Sequence, residues 1–184
     1  MYMMIKNEKG LLTLEAAMVL PIFVFFLLFL YGLMMMFSGQ EMIAHAMFQS
    51  SESLAFDSYA TDKFSTGSYE SAETLIKGMY ESFLTNKDSK YSSSTKWYEN
   101  KEETKKVSKE RFLGYFCGGD KEWSSSFLSI TGVKGGLDGI DFTGTYIDSN
   151  KDLHLKAKYK QYFLFDFGGN VDFDREVEVV AHMW

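Results

Sequence analysis

The sequence predicts an α+β protein with a long N-terminal transmembrane/amphipathic helix, one or two further helices and a C-terminal antiparallel β-meander. Three observations carry this. Ala16 to Phe37 contains no charged residue. Apolar residues then recur at helical spacing through the forties and fifties. After residue 140 the period changes to two.

The apolar run sets the frame. Its 22 or so residues span about 33 Å as a helix, which matches the roughly 30 Å hydrocarbon core of a bilayer. Pro21 lies within it and removes one helix hydrogen bond, a loss that membrane helices tolerate. Met42, Ile43, Ala46, Met47, Leu54 and Ala55 continue the helical pattern, so one helix is expected from about Leu12 to about Phe56. Ser65–Ser68 is a polar break. A second helix is expected from Tyr69 to Leu84, on whose face Ala72, Leu75, Ile76, Met79 and Phe83 fall. Residues 85–96 are Ser-rich and read as an exposed loop. A third helix is expected within 97–116, with Lys101 to Arg111 as its solvated face because both charge signs are mixed there. Cys117-Gly118-Gly119 ends it, and the Gly pairs at 118, 135 and 168 read as turns.

Three segments alternate in the last third. Ile140, Phe142, Gly144 and Tyr146 form the first. Leu153, Leu155, Ala157, Tyr159 and Phe163 form the second. Val171, Phe173, Val177, Val179 and Ala181 form the third. The last two carry apolar side chains at odd numbers, so they must pair odd with odd to share one buried face. That requires an odd-length connection, and Gly168-Gly169-Asn170 is expected as a three-residue turn. With Phe167 opposite Val171, Lys160 faces Glu178 and Lys158 lies on the diagonal. Arg175 interrupts the apolar face, either at the sheet's edge or reaching a carboxylate.

Composition narrows the function. A net charge of −6 argues against nucleic-acid binding, which needs a basic surface. Aromatic residues at 17% and a single proline argue for a packed core and not a disordered chain. The lone Cys117 has no internal partner, which leaves a buried thiol, the preferred reading, or a bridge to another chain. Asp148-x-Asn150-x-Asp152 resembles the start of a calcium loop, but Leu153 stands where that loop needs Gly and Tyr159 where it needs Glu. A hairpin turn is expected there instead. His45, His154 and His182 lack ligand spacing, and no nucleophile, phosphate-loop or dinucleotide motif is present, so nothing points to an enzyme, a metal or a cofactor.

The leader gives the orientation. Lys6 and Lys9 precede the span, and the first Lys after it is Lys63, behind Glu41, Glu52, Asp57 and Asp62. The N-terminus is therefore expected in the cytoplasm and the domain outside the cell. Residues 1–10 form the leader, 11–37 the transmembrane helix and 38–184 the extracytoplasmic domain. Ordinary secretion with cleavage after Ala44-His45-Ala46 is the competing account, but the apolar run is too long for a signal peptide and that site lies well beyond it.

Glu15 stands at the mouth of the apolar run, where an unpaired carboxylate is costly and a partner should be sought. It is the fifth residue counted from Leu11, which follows Gly10 and Lys9. This arrangement resembles the class III signal of type IV pilins and pseudopilins. Glu15-Ala16-Ala17-Met18-Val19-Leu20-Pro21 is similar to the start of TadE-like proteins, the minor pseudopilins of the tight-adherence (Tad) pilus, except that Ala16 stands where the family often has a bulkier residue. The resemblance covers about 25 residues. It implies a pilin-like fold, cleavage by a prepilin peptidase after Gly10, and a pairing of Glu15 with the new N-terminal ammonium, at Leu11, of a neighbouring subunit. The implied partners are membrane lipid, the peptidase, other pilins or pseudopilins, and the platform and ATPase of the pilus machine. The implied role is structural, in pilus assembly. The alternative is a membrane-tethered extracellular binding module that never enters a filament.

Overall fold

A single helix, α1 (Met4–Phe64), organises the described structure, and the other described elements pack mainly against its second half. The computed structural model describes residues 4–64, 97–163 and 171–183, with side chains described for 14–59, 97–163 except Cys117, and 171–183. The expected helix at Tyr69–Leu84, the loop at 85–96, the turn at 168–170 and the thiol of Cys117 lie outside the described residues.

α1 continues without a break through Pro21 and through the end of the apolar run. It begins earlier and ends later than the spacing predicts. From Leu14 to Tyr31 every residue is exposed. From Gly32 a buried stripe appears at Gly32, Met36, Gly39, Ile43, Ala46, Met47 and Ser50, the spacing of one helix face.

A short 3₁₀ turn at Trp97–Glu99 leads into α2 (Lys101–Tyr115), whose N-cap Asn100 accepts a bond from the Glu102 amide. Gly118 and Gly119 close α2 with positive φ, a conformation that costs glycine nothing. α3 (Lys121–Ile130) follows at once, capped by Asp120 through the Trp123 amide. α3 was not expected from the sequence, although Trp123, Phe127 and Ile130 stand at helical spacing and Asp120 supplies an N-cap.

The C-terminal sheet has the order β1 (Tyr146–Ile147), β2 (Asp152–Tyr162), β3 (Asp172–His182), all antiparallel. The meander is as expected, but its first strand is much shorter than the alternation from Ile140 suggests. Asp141 makes a lone bridge to Lys158, and Ile140 and Phe142 enter the core from a loop. β2 and β3 pair odd with odd, yet the register is offset: Lys160 faces Asp174, and Glu178 faces Lys156. Among the described residues the ladder runs to Tyr162–Asp172, a register that points Val171 toward Phe163; Phe167 itself lies outside the described residues. The buried face determines parity, whereas the offset is set by the connection's length.

The odd face of β2, with Leu155, Ala157 and Tyr159, meets Ile43, Ala46 and Met47 of α1, and Phe112, Phe116 and Leu128 of the shorter helices close the core. A second cluster of Leu54, Trp97, Val107, Leu153 and Met183 lies farther along α1.

Candidate functional site: the anchor helix and its junction with the domain

The residues singled out by sequence all lie on α1. Gly10 and Leu11 sit within its continuous helical backbone, and Glu15 is exposed. Glu15 is the sole charged side chain between Leu14 and Gln40, at one end of a helix surface that is otherwise apolar on every side. Such a surface needs lipid or other apolar helices around it. Among the described residues α1 supplies one segment, Leu14–Tyr59, that by length and composition can cross a membrane.

The junction with the domain is built where the apolar run ends. At Gly39 an added Cβ would lie 2.6 Å from the Cβ and Oγ1 of Thr131, so only glycine lets the α3–sheet corner approach this closely. Phe29, lower on α1, meets Phe163 with ring centroids 5.2 Å apart. Between them Gln161, fully buried on the odd face of β2, donates from Nε2 to the carbonyls of Met36 (3.0 Å) and Thr131 (2.9 Å). Its Oε1 accepts from Gln40 Nε2 at 2.8 Å. With the Gln40 amide turned over, its oxygen would instead accept from Arg175 Nε and Nη2 at 3.2 and 3.3 Å. The first arrangement is favoured, because buried Gln161 has no water to replace that bond while half-buried Arg175 does. Arg175 thus lies on β3 near Gln40, its guanidinium 5.7 Å from the Phe173 ring centroid.

Gln161 was passed over in the sequence, although it is the one polar residue in the inward register of β2 between Leu153 and Phe163. A polar residue at an inward position signals a specific bond, here a clamp between helix backbone and sheet.

A second buried polar site lies at the far end of the domain. Arg111 and Asp57 are 2% and 4% exposed. Arg111 Nη2 lies 3.4 Å from Asp57 Oδ2, Arg111 Nη1 bonds to Ser53, and Trp97 Nε1 donates to Asp57 Oδ2 at 3.1 Å. Arg111 is therefore not part of a solvated face. Thr104, Val107, Ser108, Arg111 and Phe112 form the buried face of α2, and only the rest of the helix is solvated.

The even face of the sheet carries a ladder of opposite charges. Lys156 Nζ is 3.0 Å from Glu178 Oε2, Lys158 is 3.5 Å from Glu176, and Lys160 is 3.8 Å from Asp174. His154 Nδ1 lies 2.8 Å from Glu178 Oε1, and its ring stacks on Tyr146 at 4.5 Å. His154 and Lys156 hold the Glu178 carboxyl below its ordinary value, and Glu178 in turn raises Lys156. An open groove of about 560 Å³ runs between this ladder and the 134–141 loop. Its Lys and Arg side chains are interleaved with Asp141, Asp174 and Glu176, which gives it no single sign of charge.

The Asp148 loop is a hairpin turn, as expected. Its carboxylate accepts from the amides of Asn150 (2.8 Å) and Asp152 (2.9 Å), which keeps its pKa low. No cluster of three or more His, Cys, Asp or Glu suited to a metal occurs among the described residues.

No family model, curated protein or solved structure matches this chain.

Proposed function

We propose that the chain is a TadE-like minor pseudopilin with a structural, non-catalytic role in assembling a Tad-type pilus or related envelope machine. It is anchored once in the cell membrane, N-terminus in the cytoplasm and domain outside. The observation that carries the proposal is the asymmetry of α1: apolar on every side from Ala16 to Tyr31, with one carboxylate, Glu15, at its cytoplasmic end. A carboxylate at that depth is tolerable when an opposite charge meets it. Cleavage after Gly10 would place an ammonium on Leu11, one helical turn away and free to meet the Glu15 of an adjacent copy or related subunit. Matching the two charges fixes the stagger between neighbouring helices. The domain then rides on the same helix, with its sheet, α2 and α3 facing outward from the bundle.

Mass spectrometry of the protein from purified membranes tests the processing. A start at Leu11 supports the proposal; an intact Met1 favours the tethered binding module; a start at Met47 means ordinary secretion and overturns both. Glu15→Ala tests the assembly role. The variant is expected to remain in the membrane and to lose incorporation into pili, whereas a plain tether would be unaffected.

A further inference from the structure

The domain does not stand clear of the apolar run; it overlaps it. Counted from Ala16, about 20 residues cross the hydrocarbon core and end near Met35. Yet the domain already touches α1 at Phe29, through Phe163, and buries Gly32 and Met36. Phe29 lies some 9 Å below Met35 along the helix axis. The parts of the domain nearest the end of the span are the α3 corner, which meets α1 at Gly39, and the end of β2 with the start of β3, which meet it from Gln40 and Met36 down to Phe29, held side by side. The Tyr162 amide bonds to the Gly132 carbonyl, and Tyr162 pairs with Asp172. This corner presents Ile130, Val171 and Phe173, which are 56%, 53% and 40% exposed. Lys134 Nζ reaches Asp172 at 2.7 Å, between Val171 and Phe173 in the chain, and Arg175 lies farther along β3 beside Gln40. Apolar side chains flanked by long basic ones, whose charged ends can reach outward, suit the boundary between acyl chains and headgroups.

We infer that Ile130, Phe163, Val171 and Phe173 form a rim that sits in the acyl–headgroup boundary of the membrane, so that the domain is seated in the bilayer surface and not held above it. The occupant of this apolar patch is lipid, because the patch is continuous with the exposed apolar surface of α1 and lies at a depth the span's own length places within the bilayer. The Gln161 clamp fits this position. Inserted this far, a buried amide could not be satisfied by water, and its bonds to Met36 and Thr131 remove that need. The inference rests on α1 crossing the membrane.

Spin labels on the full chain in phosphatidylcholine–phosphatidylglycerol vesicles test it. Single cysteines at Ile130, Val171 and Phe173, in a Cys117→Ser background, are compared with Phe26→Cys within the span and Phe56→Cys at the far end of the domain. Collisions with oxygen are expected to exceed those with a water-soluble nickel chelate at 130, 171 and 173, as at 26, and the reverse at 56. If the three sites behave like 56 while 26 reads as lipid, the rim is in water and the inference fails with the span intact. If 26 also reads as water, the span itself is wrong. Protection from both quenchers at the three sites means a second copy covers the rim, which also overturns it. Should the Cys117→Ser background fold poorly, Val171→Trp and Phe173→Trp in the natural chain give a second measurement. Each is expected to add fluorescence that lipids brominated near the headgroup quench, and unquenched added fluorescence overturns the inference.

Discussion

The two halves of α1 solve opposite problems with the same backbone. From Ala16 to Tyr31 the helix is apolar on all sides and every residue is exposed, with Phe29 meeting the domain at Phe163. From Gly32 onward it buries one face, and that face becomes polar toward its end: Ser50, Ser53, Asp57 and Ser58 are all inside, while Phe48 and Phe56 are outside. In the first half the backbone groups are satisfied within the helix except for the bond that Pro21 removes, so the side chains are free to match the solvent. In the second half the hydroxyls bond back to the helix, Ser50 to Ala46 and Ser58 to Ala55, which lets short polar side chains sit at a close helix–helix contact. Hydrophobicity alone does not tell inside from outside on this helix; the partner does.

The comparison can be broken at its polar end first. Arg111→Ala removes the guanidinium from buried Asp57 and is expected to cost about 3–5 kcal/mol of domain stability. Urea unfolding followed by Trp97 fluorescence checks it. The double variant Arg111→Met, Asp57→Leu is expected to recover most of the loss, because no charge is then left buried. Next comes the lipid end. Phe26→Lys places a charge at mid-span, at about 2.5–3.5 kcal/mol for insertion. The chain is expected to leave the membrane fraction while the domain's melting temperature is unchanged; a fall in that temperature would mean the two halves are coupled more closely than their contacts suggest.

The smallest effect is on the sheet's charged face. Glu178 and Asp148 have folded pKa values below their unfolded ones of about 4.5 and 3.8. Their contribution is therefore fully present above those values and is lost as pH falls through the depressed ones. Thermal melts between pH 6 and 3 are expected to show this decline, and Lys156→Met to reduce it by removing one of the charges that holds Glu178 low. An unchanged acid limb in that variant would show that His154, the larger influence, acts alone.

Much of this was legible. The anchor, the helix that continues it and the meander follow from periods of 3.6 and 2, which report which side chains share a face. Period cannot report where a connection ends, so the strand parity was readable and the four-residue offset between expected and observed partners was not. Nor can it separate a strand from a loop that happens to send Ile140 and Phe142 inward. Arg111 was misread because its neighbours by sequence are charged, although its neighbours by helical turn, Val107 and Ser108, are buried. Of the site, Glu15 was conspicuous as a charge beside an apolar run. Gln161 and Gly39 were not, because their roles depend on a contact between segments more than 90 residues apart.

The continuity of α1 has a mechanical consequence. Its 61 residues make a rod of about 90 Å with no joint where the lipid-facing half becomes the domain's backbone. An axial displacement near Glu15 is carried along this continuous helix toward the domain. At Gly39 and Gln161 the sheet is keyed to that rod, so it must travel with it. Displacing the anchor by one helical turn therefore lifts the whole domain by the same ~5 Å, with no hinge among the described residues to absorb the stroke.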